Sequence, residues 1–311
     1  MQTILGSGGA IGTTLAKELI AYTDKIRLVS RNPKKVNEND ELFPADITDE
    51  EQVDRAIAGS DVVYVTVGFE YNIKVWQKNW PPLIRHVIDS CRKYNARLVF
   101  FDNIYMYDRD YLNRLTEETP IRPTSKKGKV RAEIAAMIMD EADHGRINAL
   151  IARSADFYGI RNSLLVELVI KNMMKNKRAM WFTDAHKIHT FTSAEDAARA
   201  TALLGNTPDA YNQVWHLPTD NSPLTGKDWI ELVARTLNRK PKYSVLPTWM
   251  VAFTGLFVPL FRELSEMSYQ NEQDYIFISS KFEKRFGYVP VKPEEGIARL
   301  ISLLGQTPNS Q

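Results

Sequence analysis

The chain has 311 residues, 44% of them apolar and 25% charged, with a formal net charge of +2. It is long enough for one large core or for two lobes around a cleft. Its charge is too evenly balanced for the concentrated basic surface on which nucleic-acid binding depends.

A β-rich run, Thr3–Leu5, leads at once into Gly6-Ser7-Gly8-Gly9-Ala10-Ile11-Gly12 and a helical pattern over 12–22. With such a motif in the first residues, no leader peptide is expected. Further strands are predicted at Ile26–Ser30, Leu42–Asp46, Val62–Val67, Arg97–Phe101 and Asn148–Ile151. They alternate with helices at about 49–58, 73–94 and 125–143, the pattern of a parallel sheet with crossover helices. Asp61-Val62-Val63-Tyr64-Val65 is nearly all apolar, as a strand buried on both faces should be. Pro81-Pro82 should kink or interrupt the helix over 73–94.

The single cysteine, Cys91, shares an apolar helical stripe with Val87, Ile88 and Tyr94, which makes it a packed thiol. It excludes an internal disulfide and fits a reducing compartment, so a cytoplasmic location is expected. No Cys/His spacing suggests a metal site, and the five histidines do not cluster with acids.

Beyond about residue 155 the alternation fades. Helices are predicted near 163–175, 194–204 and 226–237, with short strands at Ala179–Thr183 and Val214–Leu217. Residues 1–155 are therefore expected to form a nucleotide-binding domain, and 156–311 a smaller substrate lobe with segments returning to the sheet. The apolar stretch Thr248–Phe261 is too short for a transmembrane helix, which needs about 20 residues. It is expected to pack on a lobe, to act as a lid or to form a subunit contact, with membrane association as the lesser alternative. No internal repeat is visible, and the only biased segment is the polar tail Gln306–Gln311.

A strand, then glycines at 6, 9 and 12, then a helix is the arrangement that binds a dinucleotide. Gly6 turns the chain out of the strand, Gly9 admits a pyrophosphate to the backbone, and Gly12 lets the helix pack against the sheet. Gly8, Ala10 and Ile11 complete the turn, whose helix N-terminus favours an anion. The fold class expected is a doubly wound Rossmann α/β domain. The second strand ends in Ser30-Arg31-Asn32 with no acid before Glu38. A guanidinium fork and a hydroxyl suit a 2′-phosphate, so NADP is favoured over the alternative, NAD. Asp46 is placed either to accept from an adenine amino group or to cap the next helix, for which Thr48 or Asp49 is better placed.

These motifs resemble the extended or atypical short-chain dehydrogenase/reductase superfamily, near its NAD-dependent epimerase/dehydratase group. The resemblance covers nearly the whole chain. It is carried by the glycine spacing, Asp46-Ile47, Thr66-Val67-Gly68 and Arg153-Ser154-Ala155-Asp156-Phe157-Tyr158-Gly159. His189-Thr190-Phe191 with Ala194-Glu195-Asp196-Ala197-Ala198, Trp215-His216-Leu217-Pro218 and Pro293-Glu294-Glu295-Gly296-Ile297 extend it. The resemblance implies that Ile47, Val67, Gly68, Asp156 and Phe157 also line the cofactor. It implies a small-molecule substrate with a sugar nucleotide as default, and a homodimer through the fourth and fifth helices.

Family members carry Ser or Thr after the fifth strand, then Tyr and Lys four residues apart. Aligning Tyr107 with the family's aromatic puts Asn103 at the Ser/Thr position. Aligning Glu133 puts Lys129 at the lysine and Ser125 at the tyrosine, whose phenol a serine hydroxyl does not replace as an acid. Three outcomes follow. A displaced tyrosine (Tyr105, Tyr107 or Tyr158) supplies the proton, or Asp102, Asp156 or His189 does with Asn103 orienting the substrate. Alternatively, the protein only binds dinucleotide, as a sensor or scaffold. For Tyr107, packing is the milder reading. In the basic run Lys126-Lys127-Gly128-Lys129-Val130-Arg131, Lys126 and Lys127 are expected on a solvated face and Lys129 toward the cofactor ribose. Gly128 would allow close backbone approach there.

Overall fold

The computed structural model describes residues 1–161 and 163–306. The end of the polar tail, 307–311, lies outside the described residues. The strands are β1 (Gln2–Leu5), β2 (Ile26–Ser30), β3 (Glu41–Pro44), β4 (Val62–Val65), β5 (Arg97–Asp102) and β6 (Ala149–Arg153). There follow β7 (Asp156–Tyr158), β8 (Ala179–Phe182), β9 (Phe191–Ser193), β10 (Gln213–His216) and β11 (Tyr243–Leu246). The helices are α1 (Ala10–Leu19), α2 (Glu50–Ile57), α3 (Ile73–Tyr94), α4 (Lys126–Asp143), α5 (Lys171–Met174) and α6 (Ala194–Gly205). They continue with α7 (Gly226–Thr236), α8 (Thr248–Gly255), α9 (Pro259–Ser265), α10 (Ser280–Phe286) and α11 (Pro293–Gln306).

The chain divides into two compact units. The first comprises Met1–Met106, Lys126–Ser154 and Ala194–Leu217. It holds a seven-stranded parallel sheet in the order β10-β6-β5-β4-β1-β2-β3. One face of the sheet packs Leu5, Val63, Phe100 and Ile151 against α2, α3 and α4 through Val53, Leu83, Val87, Ile134 and Ile138. α1 and α6 pack together on the other face, joined at the surface by Arg199 and Glu18 (3.2 Å). This is a Rossmann-like α/β fold, and β4 is buried at every residue, as its unbroken apolar run implied.

Pro81-Pro82 does not interrupt α3, which runs unbroken over 22 residues. The carbonyls that the two missing amides would have bonded belong to Gln77 and Lys78. Both residues are exposed, so the unpaired carbonyls lie on a side of α3 that solvent can reach. Asn72 caps the start of α3 and Asn95, in the left-handed region at φ 53°, ends it.

The second unit comprises Tyr107–Ser125, Ala155–Ser193 and Pro218–Gln311. It contains two short parallel pairs, β7 with β9 and β8 with β11. Its core gathers Tyr158, Trp181, Phe191, Trp229, Val233 and Ile297. The helix expected over 163–175 begins as a π-type segment, Leu165–Ile170, before α5. α7 starts in a capping box between Thr225 and Asp228. No described helix is long and apolar enough to cross a membrane.

Candidate functional site

In the first unit the chain turns to β2 and β3 on one side of β1 and to β4 onward on the other. The carboxyl ends of β1 and β4 therefore flank a topological switch point, where open α/β sheets bind ligands. The turn after β1 stands there. Gly6 has φ +91°, and its amide donates to the Val29 carbonyl (3.0 Å). A Cβ on Gly6 would lie 2.8 Å from the Val67 backbone, so the loop after β4 braces the turn. A Cβ on Gly12 would meet the Gly6 carbonyl oxygen at 2.6 Å. Only glycine at these two places lets α1 start this close to the sheet.

The outer side of the turn is open: a Cβ on Gly8 would meet nothing within 4 Å. Gly9 caps α1 without a side-chain hydrogen bond, and no acid lies in the first turn. The turn thus presents amide dipoles and a positive helix end. The Ser7 hydroxyl is buried there without a hydrogen-bond partner among the described residues. An orphaned donor inside a glycine cradle fits a phosphate oxygen.

At the end of β2, Ser30 is half-buried and Arg31 exposed. Asp46 binds the Thr48 amide and hydroxyl (2.9 and 2.8 Å), and these bonds, with a smaller effect of Arg31, hold its carboxyl below the usual carboxylate range. The helix cap is Asp49, whose side chain accepts from the Gln52 amide (3.0 Å). Ile47 and Val67 are half-buried and Gly68 exposed.

Asp102, at the end of β5, is buried between two arginines. Arg131 Nε donates to Oδ1 (2.8 Å), reinforced by Nη2, and Arg153 donates through Nε and Nη2 to Oδ2 (both 3.2 Å). Arg131 also lies over the Trp80 ring, 4.6 Å from its centroid. Asn103 uses its side-chain oxygen to accept the Tyr105 amide (3.1 Å), and Tyr105 stacks on Trp76. The basic run is arranged otherwise than its solvated-face reading implied. Lys127 is fully buried with Nζ 4.8 Å from the Tyr71 centroid, whereas Lys126 and Lys129 are exposed. Residues two apart on a helix point to nearly opposite sides, so the buried Lys127 turns Lys129 outward. Gly128 is buried.

In the second unit, Asp156 and His189 form a hydrogen-bonded dyad, with His189 Nε2 3.0 Å from Asp156 Oδ2. The Tyr275 hydroxyl accepts the Asp156 amide (3.2 Å), and its ring packs edge-on against His189. The dyad adjoins a small, mostly apolar pocket, about 40 Å³, lined by Leu165, Leu168, Met180, Trp181 and Phe191. Phe157 is half-buried beside Asp156 on β7. Ser125 hydrogen-bonds Tyr269, whose phenol burial pushes up to about 12 despite that bond. Tyr107 is buried and bridges the Ile121 backbone, and Tyr158 is buried in the core.

A family model described as the NAD dependent epimerase/dehydratase family matches residues 3–216. The chain belongs to that family. Several solved structures share its fold. A dTDP-glucose 4,6-dehydratase double mutant from Streptomyces venezuelae, with NAD bound, superposes with a TM-score of 0.80 at 15% identity over 98% of this chain and 97% of that one. The UDP-glucose 4-epimerase of Thermus thermophilus with NAD gives 0.79 at 16% identity, over 99% and 100%. The UDP-glucuronic acid 4-epimerase of Bacillus cereus with NAD gives 0.77 at 16%, over 98% and 99%. No curated protein matches the sequence closely enough to count as a relative.

Within the family frame, the fold brings Gly6–Gly12 and Val67 together at the switch point, with Gly68 next in the loop after β4. Sequence reasoning missed Ser7, Tyr71, Lys127 and Tyr269. Ser7 sits inside the recognised turn, and its burial between two glycines was the available clue. The other three depend on contacts across 56 residues (Tyr71 to Lys127) and 144 residues (Ser125 to Tyr269), which no local pattern marks.

Proposed function

We propose that the protein is an NADP-dependent oxidoreductase of the nucleotide-sugar epimerase/dehydratase type, with an atypical proton-transfer group. The observation that carries the reading is the glycine cradle with its orphaned Ser7 hydroxyl, followed at the end of β2 by Arg31 instead of an acid. In this reading, Ser7 and the amides of Ala10, Ile11 and Gly12 hold the pyrophosphate, which Gly9 admits to the backbone. Ser30 and Arg31 take the 2′-phosphate, and Asp46 and Ile47 the adenine. Val67, Gly68, Asp156 and Phe157 serve the nicotinamide half, and the bound cofactor supplies hydride exchange.

Of the catalytic candidates Asn103, Ser125, Lys129 and Tyr107, the half-buried Asn103 is the best placed to meet a substrate oxygen from the end of β5. Buried Tyr107 is a packing residue, and Lys127 is a stronger candidate than Lys129 for a buried cation. Asp102 is unsuited to proton transfer, because both oxygens are taken by guanidinium groups. The relatives that process nucleotide sugars support a sugar nucleotide as substrate.

Parallel calorimetric titrations with NADPH and NADH test the cofactor assignment. NADPH should bind the tighter, and Arg31→Ala should weaken NADPH by roughly tenfold or more while leaving NADH nearly unchanged. Equal losses for both would remove Arg31 from the 2′-phosphate. A screen of sugar nucleotides, followed through the absorbance of the reduced nicotinamide, then separates an enzyme from a dinucleotide sensor.

A further inference from the structure

α8 and α9 form a tight hairpin in the second unit. A Cβ on Gly255 would lie 2.9 Å from the Arg262 backbone, so glycine permits the two helices to close on each other. α8 carries no charged residue on any side, yet only Val251 and Gly255 in it are buried. Its remaining apolar side chains, with those of the turn, face outward. Trp249 is 67% exposed, Leu256 and Phe257 are each 74% exposed, and Phe253 and Leu260 are more than half exposed. Phe253 and Phe257 already pack edge-to-face at 5.7 Å, giving the hairpin an aromatic tip. A helix that is apolar all round calls for an apolar medium, and monomers seldom expose a patch of this kind without a use for it.

The charge around the hairpin selects that medium. From Leu232 to Arg262 the sequence carries Arg235, Arg239, Lys240, Lys242 and Arg262 and no acid. All five are exposed. Of the acids beside the hairpin, Glu263 in α9 is buried and Glu272 accepts from the Thr248 hydroxyl (3.2 Å). β11 runs parallel to β8, with Tyr243 paired to Ala179. The exposed Lys175, Lys177 and Arg178 therefore stand beside Lys240 and Lys242 where the two strands start. The hairpin begins at Pro247, directly after those strands end. One strand length, about 10 Å, separates the cationic cluster from the start of the hairpin.

We propose that this end of the second unit docks on an anionic phospholipid surface. Trp249, Phe253, Leu256 and Phe257 would enter the boundary between headgroups and acyl chains, and the lysines and arginines would meet the phosphates. The protein would lie on the bilayer, since no described helix spans one. A second copy of the chain is the poorer occupant, because two such faces would bring like charges together.

Co-sedimentation of the full chain with vesicles decides the matter. One set is phosphatidylcholine alone, the other about one-third phosphatidylglycerol. The protein should pellet with the anionic set at about 0.1 M salt and be released at about 0.5 M. Leu256→Glu with Phe257→Glu should reduce the bound fraction roughly tenfold. Lys240→Glu with Lys242→Glu should do so only on the anionic set. Unchanged circular dichroism and dinucleotide affinity would show that these exposed positions have not altered the fold. Failure of the parent protein to pellet with anionic vesicles would overturn the proposal. So would binding indifferent to both pairs of substitutions. A vesicle-free dimer that Leu256→Glu/Phe257→Glu dissociates, with no vesicle binding, would give the face to a second copy instead.

Discussion

At the scale of single residues, the most consequential side chain in the first unit is Asp102. Its two oxygens take hydrogen bonds from Arg131 and Arg153, and all three residues are buried. Asp102→Asn would leave two guanidinium groups facing a neutral amide, with no water to compensate. Removing one partner of a buried ionic cluster costs about 3–5 kcal/mol. The urea midpoint should fall by that equivalent with an unchanged slope, whereas a cost below about 1 kcal/mol would mean that the arginines find other partners. From sequence, Asp102 was a proton-transfer candidate because it adjoins Asn103 at a strand end. Its partners lie 29 and 51 residues away, and no local pattern links them. Lys127 and Lys129 give the converse case. Aligning Glu133 with the family selected Lys129, while packing buried Lys127, and a one-turn motif without its tyrosine could not distinguish the two.

At the scale of elements, most of the sheet was legible. All seven of its strands were expected from β-rich runs between turn residues, and predicted and observed ends differ by at most two residues. The β1–turn–α1 element was the clearest because its glycines answer to backbone geometry, which is local. This gives a paired test. Gly12→Ala places a methyl 2.6 Å from the Gly6 carbonyl oxygen and forces α1 away from the sheet. It should cost about 1–3 kcal/mol in a thermal or urea melt and abolish tight dinucleotide binding. Gly8→Ala, with open space around the new methyl, should leave stability almost unchanged. If both variants melt alike, close helix packing is not what Gly12 provides. The helix α3 was harder to read. Pro81-Pro82 signal a break, but exposure of Gln77 and Lys78 removes the penalty, and exposure is a tertiary property.

At the scale of the whole molecule, several acidic hydrogens are held in the interior. Burial raises the Cys91 thiol to about 12 and the Tyr269 phenol to about 12, and pushes Tyr64 and Tyr211 upward as well. Each group is neutral in the folded state and ionises more readily once unfolded, near 10 for a phenol and about 8.5 for a thiol. Their contribution to stability is complete below those unfolded values and is lost as pH rises toward 12. Circular dichroism should therefore be flat to about pH 9 and show a steep alkaline transition between about 10 and 12. Cys91 should resist an aromatic disulfide reagent at pH 8 until denaturant is added. A transition already complete at pH 9, or rapid labelling of the native thiol, would contradict this interior.

The first unit is also assembled from three separated stretches of chain, the last supplying α6 and β10. During synthesis the glycine turn emerges before the rest of the first unit, but β6 has no outer neighbour until residues 213–216 arrive to pair with it. Through that interval the nascent sheet presents an unpaired strand edge, a template for association with other chains. A version of the protein truncated before Gln213 would keep that edge permanently. Its expected fate is aggregation rather than a smaller functional dinucleotide-binding domain.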